Sequence, residues 1–583
     1  MSRLDNTLAH LAPGVGNCRD LGGRYNPRRG LAIYYLPVPG FAPSSPGMVL
    51  GEALAARSGL GCTLLEGVPQ KMPEGAALVA DYAGLKMSRP DLLEEVPDLT
   101  EPGQYAIKLG RSAVIVSPSA EGLASGMQTL SMLVLRHNED YLPGCVIVDT
   151  PFCQTRCLAV QPDPREISIA LLMQILSFAS TFKANQLHLV LDERFNPARE
   201  IPGLETFIQA CHSFGIEIGV RMPFLAKILS GEKTLIEAWA TMRAAARVFG
   251  ATQAVVDDPC PPDTTPEAAL RVVESVADGE IGLRHVSLDA NLILLSEFPL
   301  EELRPAGVGG WYRMWENALP PPPEMDEMPL TVDVQAPVTG FTSRTADAYF
   351  HRIDAATEWM RLQSKRGMSI SFRNVGVSHL WQNLLYPSAA GLISAWGNPK
   401  QAEEAGWRFS NLLYGDLGRP VMDMWDAIAK AFPPNLSDAE ERLVRRTAFG
   451  EWPESEEAMA TLSGIDWLAV TKNIKTAADA LKNIAASLQR NATTLVGARL
   501  ALYALSWLHC FVALTPELER RRRLKFDEDG RTEPIAAELY NNFRNWETHL
   551  RELYTESGLE FPEAGRIEAM GLRLKGMCEN IFE

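Results

Sequence analysis

The chain has no run of about 18 uninterrupted apolar residues, the length a bilayer-spanning segment needs. Its first residues, MSRLDNTLAHLAPGVGN, lack the basic-then-apolar pattern of a secretory leader. These two absences give the expectation of a cytoplasmic protein with no membrane partner. Positive charge is in deficit, with 55 Lys and Arg against 72 Asp and Glu and a net charge of −17. That balance argues against nucleic acid as a partner, because phosphate backbones are held by basic surfaces. The 9 cysteines are scattered and odd in number, which fits reduced thiols better than a disulfide framework. Cys153 and Cys157 lie four apart, but no second pair completes a zinc site, so neither a metal nor a cofactor is expected. No G-x-S-x-G elbow, H-E-x-x-H helix or Walker lysine occurs. The segment GVGNCRDLGG has the glycines of a phosphate loop, yet no strand precedes it and no Lys-Ser/Thr follows. It reads as a flexible N-terminal loop.

What is present is a large apolar fraction, 46% of 583 residues, enough for several cores. Residues 1–150 mix strand-like and helix-like segments. LAIYYLPV and ALVADYAG read as strands, and GMVLGEALAARSGL reads as a helix. YAIKLGRSAVIVSPSAEGLASGMQTLSMLVL reads as strand, turn at Gly110 and Arg111, strand, then helix. Ser119 is placed to cap that helix, and Gly122 and Gly126 allow it to lie close on a sheet.

Residues 151–400 alternate strand and helix patterns. Candidate strands are Arg156–Val160, Gln186–Leu191, Glu217–Arg221, Gln253–Val256, His285–Leu288, Gly309–Met314, Leu330–Val334 and Ser369–Phe372. Eight such units favour a closed (β/α)8 TIM barrel over an open sheet. From Trp396 onward the strand signals stop. Ile474, Ala478, Leu481, Ile484 and Leu488 recur at helical spacing, and VGARLALYALSWLHCFVAL is apolar nearly all round, as in a buried bundle helix. The Arg520–Arg523 run reads as a solvated helix end. The expected class is α/β: a small α/β domain (1–150), a (β/α)8 barrel (151–400) and an α-helical domain (401–583).

The segment EGLASGMQTLSMLV, with Gly122, Leu123, Gly126, Gln128, Thr129 and Leu130, resembles the end of the small domain that precedes the barrel in family 20 β-hexosaminidases. IVDTPFCQTRCLAV is similar to that family's approach to its first barrel strand at Asp149, Pro151, Phe152 and Arg156. FKANQLHLVLDE matches its second-strand pattern at Lys183, Asn185, Leu187, His188 and Asp192. The resemblance covers about residues 100–260. Where that family has a glycine pair followed by Asp-Glu, this chain has QAVVDDP. The pair Asp257–Asp258 is the pattern of family 84 O-GlcNAcase-type enzymes, which also carry a helical domain after the barrel. Arg165 stands near, but out of register with, the family's sugar-gripping arginine, and the third-strand P-G-H element is absent.

The resemblance implies a retaining exo-β-N-acetylhexosaminidase in which the sugar's own 2-acetamido oxygen is the nucleophile. Asp257 would polarise the acetamido group and Asp258 would be the general acid. Two close carboxylates raise one pKa, as a neutral-pH acid requires. The same DDP sequence also reads as a plain turn. Further candidates for binding sugar are Asp192 and Glu193 after the second strand, and Asp289 after the fifth. Trp311, Tyr312, Trp315, Glu316 and Asn317 follow at the sixth, with Trp381 and Asn383 after the eighth. Indole rings stack on sugar C–H faces, although tryptophans also fill cores. His188 reads as a buried, hydrogen-bonded histidine as readily as a catalytic one. The expected partner is thus a carbohydrate, an N-acetylhexosaminide, with a homodimer as the candidate assembly. Two alternatives use the same scaffold. One is an α-glucuronidase-like glycosidase with Asp258 and Glu316 as separated carboxylates and Arg194 or Arg313 for the uronate. The other is a sugar-binding barrel without catalysis.

Overall fold

The computed structural model describes residues 8, 11, 13–36, 43–136, 140–162, 167–191, 195–314, 320–335, 343–362, 367–372, 391–397, 414, 417–431, 438–448, 450–453, 455–488, 493–524, 530–557 and 564–579. These residues fall into two compact units. The first takes in an N-terminal sheet and a barrel, and the second is formed mainly by the chain from Leu413 to Glu583.

The N-terminal sheet contains β1 (Asn17–Tyr25), β2 (Ala32–Tyr35), β3 (Thr63–Glu66), β4 (Ala77–Asp81), β5 (Tyr105–Leu109), β6 (Ala113–Ser117) and β7 (Leu142–Asp149). Their order is β1-β7-β5-β6-β4-β2-β3. β5 and β6 form the antiparallel hairpin expected around Gly110. The Ser119 hydroxyl accepts from the Gly122 N–H and caps helix Ala120–Arg136. Gly122 and Gly126 let that helix approach the sheet: a Cβ on Gly126 would lie 2.6 Å from the Ile115 Cγ2. The GVGNCRDLGG segment is not a loop. Its latter part is the edge strand β1, paired antiparallel with β7 and shifted in register between Asp20 and Arg24, where Gly22 and Gly23 take positive φ. Most of β1 faces solvent on both sides, so it has none of the apolar alternation by which strands are read.

The barrel is closed by eight parallel strands: β8 (Thr155–Val160), β9 (Gln186–Val190), β10 (Glu217–Met222), β11 (Gln253–Val256), β12 (His285–Asp289), β13 (Val308–Met314), β14 (Leu330–Gln335) and β15 (Gly367–Phe372). Each overlaps its sequence-predicted counterpart. Between strands run helices such as Leu235–Phe249, opened by a reciprocal Thr234–Glu237 capping box and stopped by Gly250 in the left-handed region.

The segments that carried the family resemblance meet where the sheet joins the barrel. The Asp149 carboxylate, at the end of β7, accepts from the Tyr105 hydroxyl at 2.8 Å, Lys183 Nζ at 3.2 Å and Trp396 Nε1 at 2.8 Å. Its other oxygen accepts from the Gly16 N–H at 3.0 Å. Lys183 is fully enclosed, its ammonium 4.1 Å from the Trp396 ring centre. Burial pulls its pKa down to about 8, against the opposing pull of Asp149. Arg156 pairs with Glu121 and donates to the carbonyls of Cys153 and Lys183. Asn185 Oδ1 accepts from the Arg156 N–H. These residues are joints of the architecture.

In the second unit, helix Thr493–Leu524 is the apolar element anticipated around VGARLALYALSWLHCFVAL. Its stretch Ala501–Leu524 is long and apolar enough to cross a membrane by length and composition. Here Trp507 packs against Phe511, Phe543 and Trp546 within the bundle. At its basic end, Arg520 and Arg521 pair with Glu517, and Arg523 pairs with Glu456.

The joint gives a direct test. Replacing Lys183 by Met leaves Asp149 buried without its cation, and replacing Asp149 by Asn strands the lysine. Each single change is expected to lower stability by about 3–5 kcal/mol, and the double change by less than the sum, read from urea unfolding midpoints.

Candidate active site

Residues two apart on a strand share a face. In an ordinary barrel of this kind the inward face is filled by branched apolar side chains. Here it carries charge. Arg221 on β10 reaches across to Asp333 on β14, four strands away, with Nη1 3.2 Å from Oδ1. The same guanidinium lies 3.4 Å from Oδ1 of Asp257, which directly follows β11. Arg313 on β13 donates Nε to Asp333 Oδ2 at 3.0 Å and Nη2 to Asp257 Oδ1 at 2.9 Å. All four side chains are at most 4% exposed. Burial alone would lower the pKa of both arginines, but Asp333, Asp257 and, for Arg221, the Cys157 thiol outweigh it and hold both above the usual guanidinium value.

A hydrogen-bonded chain leads from this quartet toward the N-terminal ends of the strands. Arg221 Nε donates to His188 Nδ1 at 3.2 Å, so the imidazole proton sits on Nε2, which donates to Gln253 Oε1 at 3.2 Å. Gln253 Nε2 in turn donates to the Glu217 carboxylate. Gly219 makes room for the imidazole: a Cβ there would lie 2.3 Å from His188 Cδ2. Burial, then the neighbouring Arg221 charge, push the His188 pKa from 6.5 down to about 3. His188 is therefore a neutral, buried core histidine.

The candidate site residues divide as follows. Asp257 and Asp258 both stand at the C-terminal end of β11, the end at which barrels of this architecture carry out chemistry. The Asp257 carboxylate turns into the barrel. Asp258 is half-buried at the rim, and its Oδ2 accepts from the Ala226 N–H at 3.1 Å, in the first turn of the short helix Leu225–Leu229 that follows β10. Asp289 ends the neighbouring β12 and caps helix Ala290–Leu295 by accepting from Asn291 and Leu292. Burial raises its pKa against those backbone N–H groups. Tyr312 is half-buried, and its pKa is raised by burial and then by Asp289.

Trp311 is not at the rim. It lies inside the barrel, donating Nε1 to the Val256 carbonyl at 2.9 Å beneath the Arg313 guanidinium. Its position two residues before Arg313 puts it one interior layer below the quartet. Arg313, considered for a uronate, is committed to the two aspartates. Asp192, Glu193, Trp315, Glu316, Asn317, Trp381, Asn383, Arg165 and Arg194 lie outside the described residues. Among the described residues, no group of three or more His, Cys, Asp or Glu side chains is arranged to hold a metal.

Sequence reasoning missed Arg221 and Asp333 as site-forming residues. Their signal was a charge in the middle of an apolar strand, in EIGVRM and LTVDVQ, at the parity shared with Arg313 in VGGWYRM.

No protein-family model matches the chain, and no curated protein matches it in sequence. Solved structures do match its fold. The structure of CpGH84D aligns over 98% of this chain and 99% of its own, with a TM-score of 0.52 and 11% identity. CpGH84B aligns over 97% and 99%, at 0.50 and 10%. A β-N-acetylhexosaminidase from Bacteroides fragilis NCTC 9343 aligns over 69% of this chain and 94% of its own, at 0.50 and 14%. The likeness is one of fold. With the two CpGH84 structures it spans nearly the whole chain, residues 100–260 included.

His188 gives this site a pH signature. Its folded pKa is about 3 and its unfolded value 6.5. Between those values the unfolded chain binds a proton that the folded chain does not, so this contribution to stability is complete above pH 6.5 and is lost as pH falls toward 3. His188→Gln, which keeps a polar side chain without the titration, should flatten the fall in unfolding free energy between pH 6.5 and 4. An unchanged slope would show that the imidazole is not the titrating group.

Proposed function

We propose that this protein is a glycoside hydrolase of the retaining exo-β-N-acetylhexosaminidase type, working by substrate assistance. The observation that carries the reading is the Asp257–Asp258 pair at the C-terminal end of β11, one carboxylate fixed from beneath by Arg221 and Arg313 and the other at the rim. The fold shared with a Bacteroides β-N-acetylhexosaminidase and with the two CpGH84 proteins supports it.

The chemistry then runs as follows. The acetamido carbonyl oxygen of the substrate attacks the anomeric carbon as the glycosidic bond breaks. Asp258 gives its proton to the leaving oxygen. Asp257, held by the two guanidinium groups, accepts from the acetamido N–H and stabilises the positive charge that develops there. Water then opens the cyclic intermediate, with Asp258 taking back a proton, and the configuration is retained. Asp289 and Tyr312, at the neighbouring strand ends, stand as sugar-hydroxyl contacts.

One observation favours a second reading. Asp257 is only 2% exposed, and its named partners all lie inside the barrel. A carboxylate so enclosed fits a barrel that binds an N-acetylated sugar without cleaving it.

The test compares wild type with Asp258→Asn on two N-acetyl-β-hexosaminides, one with an alkyl and one with a nitrophenyl leaving group. A general acid matters most for the poor leaving group. The alkyl substrate should lose about 10²–10⁴-fold in kcat/KM, and the nitrophenyl substrate markedly less. Equal losses on both, or activity unchanged, would remove Asp258 from that role. Saturable binding of N-acetylglucosamine with no turnover across a panel of aryl glycosides would establish the second reading.

A further inference from the structure

The opposite end of the barrel is open. A cavity of about 380 Å³ enters between the N-terminal ends of the strands and reaches His188 and Trp311. Ordinary barrels are filled at this level by branched side chains. In this chain Gly219 and Gly309 occupy inward positions, and a Cβ on Gly309 would lie 3.3 Å from the Ser287 Oγ. Among the described lining residues several are polar, Gln186, Gln253, Ser287 and Thr331 among them. Each of the four is only half-buried, so this end of the lumen is accessible to solvent.

Gln186, Ser287 and Thr331 make no side-chain hydrogen bond within the described residues, in contrast to the fully engaged Glu217–Gln253–His188 chain beside them. Three neutral groups, each able to donate and accept, therefore face the same space. Of the charged side chains that border it, Arg221 is balanced by Asp257 and Asp333, and Glu217 and Arg304 are of opposite sign, so neither a strong anion nor a strong cation is favoured. Trp311 and Val255 add an apolar wall. Neutral donor–acceptor groups beside one indole and an aliphatic patch suit a molecule with many hydroxyls and an apolar C–H face. The volume admits a hexose.

We infer that the N-terminal mouth of the barrel is a second binding site, for a neutral hexose-sized sugar, separate from the Asp257–Asp258 rim. It does not rest on the hydrolase reading, because none of its unpartnered groups belongs to that rim.

The test is calorimetric titration of the full-length protein with glucose, galactose and N-acetylglucosamine. Two variants accompany wild type. Gly309→Val fills the cavity, and Thr331→Val removes one unpartnered hydroxyl while keeping its volume. A thermal unfolding midpoint is taken for each. At least one sugar should bind wild type saturably, and both variants should weaken it about tenfold or more, the worth of one lost buried hydrogen bond. If Gly309→Val fails to fold, Thr331→Val alone decides. The inference is overturned if no sugar binds, or if a folded variant binds as tightly as wild type. Hydrolysis at the rim, scored separately with Asp258→Asn, can fail or succeed without changing either outcome.

Discussion

Two guanidinium groups and two carboxylates closed inside a ring of strands are the constraint from which the rest of the barrel follows. Taking such charges out of water costs several kcal/mol for each, and only good geometry with every partner in place offsets it. Arg221, Arg313, Asp257 and Asp333 meet that condition by spanning the lumen, Arg221 linking β10 to β14. A slip of one residue in any of those strands would turn its charge out into the helix layer. The quartet thus pins four strands in register, a task left in most barrels to shape-matched aliphatic side chains. Because the charges occupy the upper layer, the layer beneath need not be apolar. His188, Gln253, Ser287 and the two inward glycines can be accommodated there, and the lumen opens at its lower end.

A second enclosed ion pair does the corresponding work between the sheet and the barrel. Lys183 and Asp149 come from different layers of the chain and meet with Tyr105 and Trp396 over them. The backbone at Lys183 takes a φ of 57°, an uncommon conformation for a residue with a β-carbon. The turn into β9 therefore accepts local strain so that this one ammonium can point at Asp149. Asp149 and Lys183 are among the motif positions that carried the family resemblance, and here they join a sheet to a barrel. Such residues say little by themselves about which sugar is cleaved, or whether one is.

How much was legible follows the same division. The barrel strands could be read because, where their burial is described, most of their residues are buried on both faces, and they are bounded by helix caps and turns, as at Gln253–Val256 and Thr234–Glu237. β1 could not, because as an edge strand it shows no apolar face. The Asp257–Asp258 pair could be located, but not the direction in which each side chain turns, which depends on Arg221 and Arg313 from strands far away in sequence. Trp311 was read as a rim aromatic from its neighbours Trp315 and Glu316. Strand parity with Arg313 instead puts it inside, a relation visible in sequence only once Arg313 is known to face inward.

The quartet also bears on how two adjacent aspartates divide their work. Both leave the same strand end, but Asp257 continues the ladder through its N–H to the Met222 carbonyl, which fixes its side chain inward. Asp258 is the first residue beyond that ladder, and its carboxylate turns to the N-terminal turn of helix Leu225–Leu229. One carboxylate is therefore set by the barrel interior and the other by a short helix at the rim. A change to Asp333 or Arg221 weakens the support of Asp257, which keeps its own bond to Arg313, while leaving the contact between Asp258 and Ala226 in place. On the proposed mechanism, substitutions at Asp333, buried beneath the rim, act by way of Asp257, as a positioning residue does.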